Sequence, residues 1–334
     1  MKKVAVIGEG AWGSAIAMLL SDNGFKVNLW CQDPSVAQTI SEKRKNERYF
    51  PSYALPASII PVTDFAAALD GVTYIFEAIP VKYLRTVFTT MRPHIRKDHV
   101  VIILSKGIEN NTLLFPSALV QEVLGFPVEH AVLAGPNFAN EIAEQRVTAA
   151  TLASPSCDRA IEIQHLLANN YFRPYITTDT IGTQVGAALK NVISLGIGMA
   201  EGAGLSENTK AFLLTRGLAE MAQVAVALGG RKETVYGLSG VGDLVLSSMG
   251  TQGRNVSLGR ELGQGKTLAE LERVIDVLPE SVNTVKSLHQ MIKQKNLDLP
   301  VCQGIYQAVY EKRKMTGVVA ALMARPLEYE CEVP

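Results

Sequence analysis

Short apolar runs alternate with longer amphipathic stretches along the first half of the chain, and then the short runs stop. The first run, Val4-Ala5-Val6-Ile7, ends at Gly8-Glu9-Gly10 and gives way to a helical pattern through Leu20 that stops near Asn23-Gly24. Val27-Asn28-Leu29-Trp30 follows, and further runs occupy 58–62, 73–78, 100–104, 130–134, 148–153 and 172–177. Strand-length runs separated by helical stretches predict a mostly parallel sheet with helices on both faces. From about Gly182 only the helical period remains, which predicts helices over 182–203, 207–228, 231–249, 268–277, 281–295, 302–312 and 318–324. The expected organisation is an α/β domain over 1–181 and an all-α domain over 182–334, without internal repeats or low-complexity segments.

The junction after the first run carries the first chemical signal. Two lysines before an apolar run could open a secretory leader, but a leader needs about 7–15 uninterrupted apolar residues, and this run is cut at Gly8. The order is instead strand, G-x-G-x-x-G, helix, strand. Gly8 allows the tight turn, Gly10 lets backbone approach a pyrophosphate, and Gly13 lets the helix pack close to the strand. The helix N-terminus offers N–H groups to the same anion. The first domain is therefore expected to be Rossmann-like and to bind a dinucleotide.

Composition narrows the class of partner. The 334 residues are 47% hydrophobic and 19% charged, as in an ordinary globular protein. Thirty-two basic residues balance thirty-two acidic ones, so no overall field recruits nucleic acid or an anionic membrane. Cys31, Cys157, Cys302 and Cys331 lack C-x-x-C spacing and His partners, which argues against a disulfide framework or a metal site and for a cytoplasmic setting. The most apolar internal stretch, 192–200, is too short and too glycine-rich to span a bilayer. None of the five histidines, His94, His99, His130, His165 and His289, stands in a His–acid pattern, so a proton carrier is sought among the lysines.

In the helix expected from Gly182, the residues Gly182, Gly186, Lys190, Ser194 and Gly198 fall on one slowly drifting row. Such a row admits a ligand or another backbone and presents one ammonium into the gap; helix packing with a snorkelling lysine reads the same pattern. Ser105-Lys106-Gly107 and Gly135-Pro136-Asn137-Phe138-Ala139 follow predicted strands, where ligands bind in open α/β sheets, although solvated or turn residues also occur there. Asp243 stands after three glycines, and Gly253-Arg254-Asn255 comes shortly after. Arg and Asn can fork onto a phosphate, while Asp243 can orient a lysine; a helix start beside a surface Arg is the alternative.

GEGAWGSA, SKGIE, AGPNFANEIA, GAALKNVISLGIGMAEG, TRGLAEM, GLSGVGDLVLSSMGTQGRN and GQGKT, in that order, resemble the bacterial NAD(P)-dependent glycerol-3-phosphate dehydrogenases nearly from end to end. The resemblance implies interconversion of sn-glycerol 3-phosphate and dihydroxyacetone phosphate, usually run to supply glycerol phosphate for membrane lipids. It implies Lys190 as general acid/base and Lys106 in contact with both substrate and cofactor. Gly135, Asn137, Asp243, Gly253, Arg254 and Asn255 correspond to substrate ligands. Ala11, Trp12, Gln32, Ala139, Arg254, Leu278 and Glu280 correspond to cofactor contacts beside Gly8, Gly10 and Gly13. Asn137 stands where Ser or Thr is usual, Gly253 where Ser often stands, and Gln32 where Arg or His would suit the 2′-phosphate of NADP. Asp33 is expected to cap the following helix before Pro34, and Lys43, Arg44 and Lys45 to form a charged helix surface, with reach to the 2′-phosphate as the alternative. Both NAD and NADP are therefore expected to serve, within about tenfold of each other, with Gln32 as the selector. No metal, nucleic acid or integral membrane segment is expected; the oligomeric state is left open, a homodimer included. A related two-domain reductase would share the fold logic but lack the paired LKN and GRN motifs.

Overall fold

The computed structural model describes residues 2–249, 253–275, 277–327 and 329–330. Cys331, Asp276 of the expected 268–277 helix and 250–252 lie outside them. The first half runs β1 (Lys3–Ile7), α1 (Ala11–Asp22), β2 (Lys26–Trp30), α2 (Pro34–Lys43), β3 (Lys45–Asn46), β4 (Phe50–Ala54), β5 (Ile59–Val62), α3 (Phe65–Leu69), β6 (Val72–Glu77) and α4 (Val81–Met91). It continues with β7 (Val100–Ile103), α5 (Pro116–Leu124), β8 (Glu129–Ala134), α6 (Ala139–Ala143), β9 (Thr148–Ala153), α7 (Cys157–Leu167) and β10 (Phe172–Thr177). The rest is helical: α8 (Thr180–Gly202), α9 (Glu207–Ala227), α10 (Lys232–Val235), α11 (Asp243–Met249), α12 (Arg254–Gly263), α13 (Leu268–Glu272), α14 (Ser281–Lys295), α15 (Pro300–Tyr310) and α16 (Met315–Met323).

Eight strands form one sheet in the order β10-β9-β8-β7-β6-β1-β2-β5, parallel throughout except where β9 runs against β8. The strands from β5 to β8 reproduce the doubly wound order, with the chain reversing direction across the sheet between β1 and β6. Val4 and Val6 pack on one face with Ile16, Leu29 and Phe76, while Ala5 and Ile7 pack on the other with Ile75 and Val101. Burial on both faces explains why these strands read as unbroken apolar runs. At the reversal point, a Cβ on Gly8 (φ 119°) would lie 2.6 Å from the Ala78 carbonyl oxygen, and one on Gly13 1.9 Å from the Gly8 carbonyl oxygen. The turn therefore closes only with glycine at both places.

The helical half is built around α8, which is buried from Gly182 to Ala200. Asp179 caps it, accepting from Gly182 N at 2.8 Å and, with its other oxygen, from Arg231 N at 2.8 Å. The small-residue row is a contact face: added Cβ atoms would lie 2.7 Å from the Ser239 carbonyl oxygen at Gly186 and 2.3 Å from that of Val256 at Gly198.

Three expectations are corrected. The helix predicted over 231–249 is two helices, α10 and α11, joined by a wide turn at Leu238–Gly242. There Gly240 packs so tightly on the Val235 carbonyl that a Cβ would come within 1.8 Å. No helix was expected at α12, whose glycines Gly259 and Gly263 turn toward α8 and blur its apolar period. The charged run does not form one helix surface: α2 ends at Lys43, Arg44 turns left-handed (φ 55°) and Lys45 begins the β3–β4 hairpin. Asp33 caps α2 as expected, accepting from Ser35 N at 2.8 Å.

Candidate active site

One carboxylate gathers the chemistry. Asp243, the first residue of α11 and buried, accepts from Lys190 Nζ through Oδ1 at 2.9 Å and from Lys106 Nζ through Oδ2 at 2.7 Å. Lys190 comes from the middle of α8, and Lys106 from the loop after β7. Ser247, one turn beyond Asp243, places Oγ 2.7 Å from Lys190 Nζ. Lys106 also donates to Asn137 Oδ1 at 3.2 Å and to the Gly135 carbonyl at 3.3 Å. Lys106, Gly135, Asn137, Lys190 and Asp243 thus meet at one point. Gly135 needs its positive φ of 151°, because a Cβ there would lie 2.9 Å from Ala150 Cα.

The charges in this cluster perturb one another. Burial pushes the Lys190 ammonium down to about 8; the Asp243 charge opposes that fall, and the Lys106 and Arg254 charges add to it. Burial alone would raise the Asp243 carboxyl, but the two ammonium groups outweigh it and hold the group below the usual carboxylate range. An acid that stays ionised between two lysines, one of them poised near neutrality, is suited to proton transfer.

Beside this cluster, Arg254 and Asn255 open α12, with Gly253 as its N-terminal neighbour. Arg254 is exposed and has no hydrogen-bond partner among the described residues. Asn255 Nδ2 donates to Asn191 Oδ1 at 2.8 Å, leaving Asn255 Oδ1 buried without a partner among the described residues, as is Asn137 Nδ2. Buried polar atoms of this kind are uncommon; here one belongs to the residue that binds Lys106 and the other to the partner of Asn191, the neighbour of Lys190. Gly253 is required by packing: a Cβ would come 2.6 Å from the Ser247 carbonyl oxygen.

The glycine turn fits a dinucleotide. A Cβ at Gly10 would meet nothing within 4 Å, so the backbone there faces open space at the head of α1. The Trp12 indole N–H is buried without a partner among the described residues. Ala11 heads α1 and Ala139 heads α6, two helices packed on each other. Glu280, which precedes α14, accepts from Val81 N at 3.2 Å, and burial pushes its carboxyl up to about 7. Its other oxygen lies against Gly107, next to Lys106. Leu278 packs on the helical core. Gln32 is exposed at the end of β2, and its backbone N–H donates to Glu9 Oε2 at 3.1 Å, with no side-chain partner among the described residues. Among the described residues, no group of three His, Cys, Asp or Glu side chains could hold a metal ion.

Family models described as the N-terminus and C-terminus of NAD-dependent glycerol-3-phosphate dehydrogenase match residues 3–160 and 179–320. The chain belongs to this family. It is 37% identical over 332 residues to a glycerol-3-phosphate dehydrogenase [NAD(P)+] of Syntrophobacter fumaroxidans, covering 99% of this chain and 98% of that one. It is 38% identical to the Geobacillus kaustophilus protein of the same name, over 99% and 97% of the two chains. The crystal structure of glycerol-3-phosphate dehydrogenase from Coxiella burnetii superposes with a TM-score of 0.92 at 31% identity, covering 97% of this chain and 99% of that one.

Three residues that shape this candidate site were not read from the sequence. Ser247 was signalled only by its four-residue helical spacing from Asp243. Fully buried Glu77, pushed up to about 7 by burial, accepts from Ile79 N at 2.6 Å and Ser105 Oγ at 2.9 Å, and so fixes the loop that carries Lys106. Glu9, in the glycine turn, holds the end of β2 through Gln32 N and Asp33 N; nothing in its spacing separated it from a solvated loop acid.

Proposed function

We propose that this chain carries out the reaction of its family, the NAD(P)-dependent interconversion of sn-glycerol 3-phosphate and dihydroxyacetone phosphate, with Lys190 as the proton-transfer group. The observation that carries the reading is the buried Asp243 carboxylate shared by two ammonium groups. Residues 1–181 form the dinucleotide-binding domain and supply Lys106, Gly135 and Asn137, while 182–334 supply Lys190, Asp243, Arg254 and Asn255 and close on the cofactor with Leu278 and Glu280. The glycine turn of Gly8, Gly10 and Gly13, with Ala11, Trp12, Ala139, Leu278 and Glu280, would hold the dinucleotide; when bound, its nicotinamide supplies or accepts the hydride.

The chain's own residues then divide the remaining work. Lys190, as ammonium, donates a proton to the C2 oxygen during reduction and, as amine, removes it during oxidation. Lys106 adds a second positive charge beside the same oxygen, stabilising the charge that develops there. Asp243 holds both ammonium groups in place, Ser247 steadies Lys190, and Gly135 and Asn137 steady Lys106. Arg254 and Asn255 grip the phosphate, a handle remote from the reacting carbon whose binding energy orients it. The product suits phospholipid synthesis, and the buried free thiols of Cys31 and Cys302 support a reducing, cytoplasmic setting.

The test is turnover. Purified protein with NADH or NADPH should reduce dihydroxyacetone phosphate far faster than dihydroxyacetone, because the phosphate grip serves only the first. Equal rates on the two substrates, or no turnover of either, would contradict the reading.

A further inference from the structure

We propose that Glu9 sets the cofactor preference in favour of NADH, because its carboxylate occupies the backbone donors that a 2′-phosphate would need. This inference rests on the assignment of the cofactor to the glycine turn. In a doubly wound sheet the adenosine ribose lies against the end of the second strand, where an acid suits the free 2′-hydroxyl and an Arg a 2′-phosphate. Here the Cys31 N–H is taken by the Val62 carbonyl at 2.8 Å, so the N–H groups next in line belong to Gln32 and Asp33. Both are already engaged: Glu9 Oε2 accepts from Gln32 N at 3.1 Å and Oε1 from Asp33 N at 3.2 Å.

Glu9 is held in that place from its backbone side as well. It is only 7% exposed, and its carbonyl accepts from Asn46 Nδ2 at 2.6 Å and Ser14 Oγ at 3.3 Å. Asn46 belongs to the β3–β4 hairpin and is fully buried, so this small hairpin clamps the glycine turn against the end of β2. A 2′-phosphate arriving there would meet a fixed negative charge and no free backbone donor. The neighbouring Cys31 thiol registers the same field: burial first, then the Glu9 and Asp33 charges, push it up to about 12.

Most nearby basic side chains already have partners, Arg48 at the end of β2 itself. Arg48 Nη1 pairs with Asp33 Oδ2 at 2.7 Å, and Lys43 with Glu47 at 3.1 Å. Arg44 turns inward to the carbonyls of Leu55 at 3.2 Å and Ile59 at 2.8 Å. The sequence pointed to Gln32 as the selector with near-parity between cofactors; the geometry moves the selection to Glu9 and tips it toward NADH.

Calorimetric titration of NADH and NADPH into the full-length protein, for wild type, Glu9→Gln and Glu9→Ala, reads the preference without depending on turnover. Wild type is expected to bind NADH more than about tenfold tighter than NADPH. Glu9→Ala is expected to narrow that ratio by about tenfold or more through tighter NADPH binding, and Glu9→Gln to move it the same way by less. Glu9→Gln keeps the size and one acceptor, so it carries the test where the alanine variant does not fold. Wild-type binding of NADPH equal to or tighter than that of NADH, or a ratio unmoved in the folded variants, overturns the role of Glu9. Failure of the wild type to bind either cofactor overturns the site assignment and this proposal with it.

Discussion

Lys190 sits where an ammonium is costly, and that cost places its titration near neutrality. With its proton held at about 8, the direction of the reaction decides the sign of the pH dependence. Reduction of dihydroxyacetone phosphate uses the ammonium form, so kcat/KM should fall as pH rises through about 8. Oxidation of glycerol 3-phosphate uses the amine, so kcat/KM should rise over the same range; profiles measured in both directions check the pair, and parallel slopes would count against it. Arg254 presents a different test, because its guanidinium is exposed and has no hydrogen-bond partner to lose among the described residues. A charged hydrogen bond to phosphate is worth roughly 1.5–3 kcal/mol, so Arg254→Ala should lower kcat/KM for dihydroxyacetone phosphate by about 10-fold to 100-fold. The same change should lower kcat/KM for dihydroxyacetone by much less, since that substrate has no phosphate to lose; an equal loss on both substrates would count against the phosphate grip.

The element that holds these residues in register is the pair α8 and α12, which bring Lys190 and Arg254 to the same end of the site. Their backbones touch: a Cβ at Gly259 would lie 2.2 Å from the Leu195 carbonyl oxygen, and one at Gly263 2.2 Å from that of Met199. Because the obstructing atoms are backbone, the helices must separate to admit a methyl group. Gly259→Ala should therefore lower stability by about 1–3 kcal/mol, seen as a reduced denaturation midpoint with unchanged slope. Half of this interface was legible in the sequence. The row from Gly182 to Gly198 announced a close approach on α8, but the partner α12 was not predicted, since glycine takes part of its buried face and Val256, Leu258 and Leu262 leave only a short apolar row. The break between α10 and α11 was hidden for a related reason: Gly240 is needed for contact with Val235, a tertiary demand that no local pattern encodes.

At the scale of the whole molecule, the sheet was legible because its central strands β1, β6, β7 and β8 are largely buried on both faces and so read as apolar runs. What was not legible was the antiparallel pairing of β9 with β8 and the short β3–β4 hairpin, which has only two residues in its first strand. The site was legible in its charged members, because Lys106, Lys190, Asp243 and Arg254 stand in glycine-rich surroundings where charge has few structural uses. Ser247, Glu77 and Glu9 stayed hidden because their value lies in contacts across elements. The account as a whole stands on Lys190 passing the proton while Asp243 and Ser247 keep it in place. The most direct measurement is kcat of Lys190→Met, compared with wild type after circular dichroism and thermal melting have shown the variant to be folded. Methionine keeps the length and removes the proton, so kcat should fall by roughly 10²-fold to 10⁴-fold; turnover within a few-fold of wild type would contradict the account.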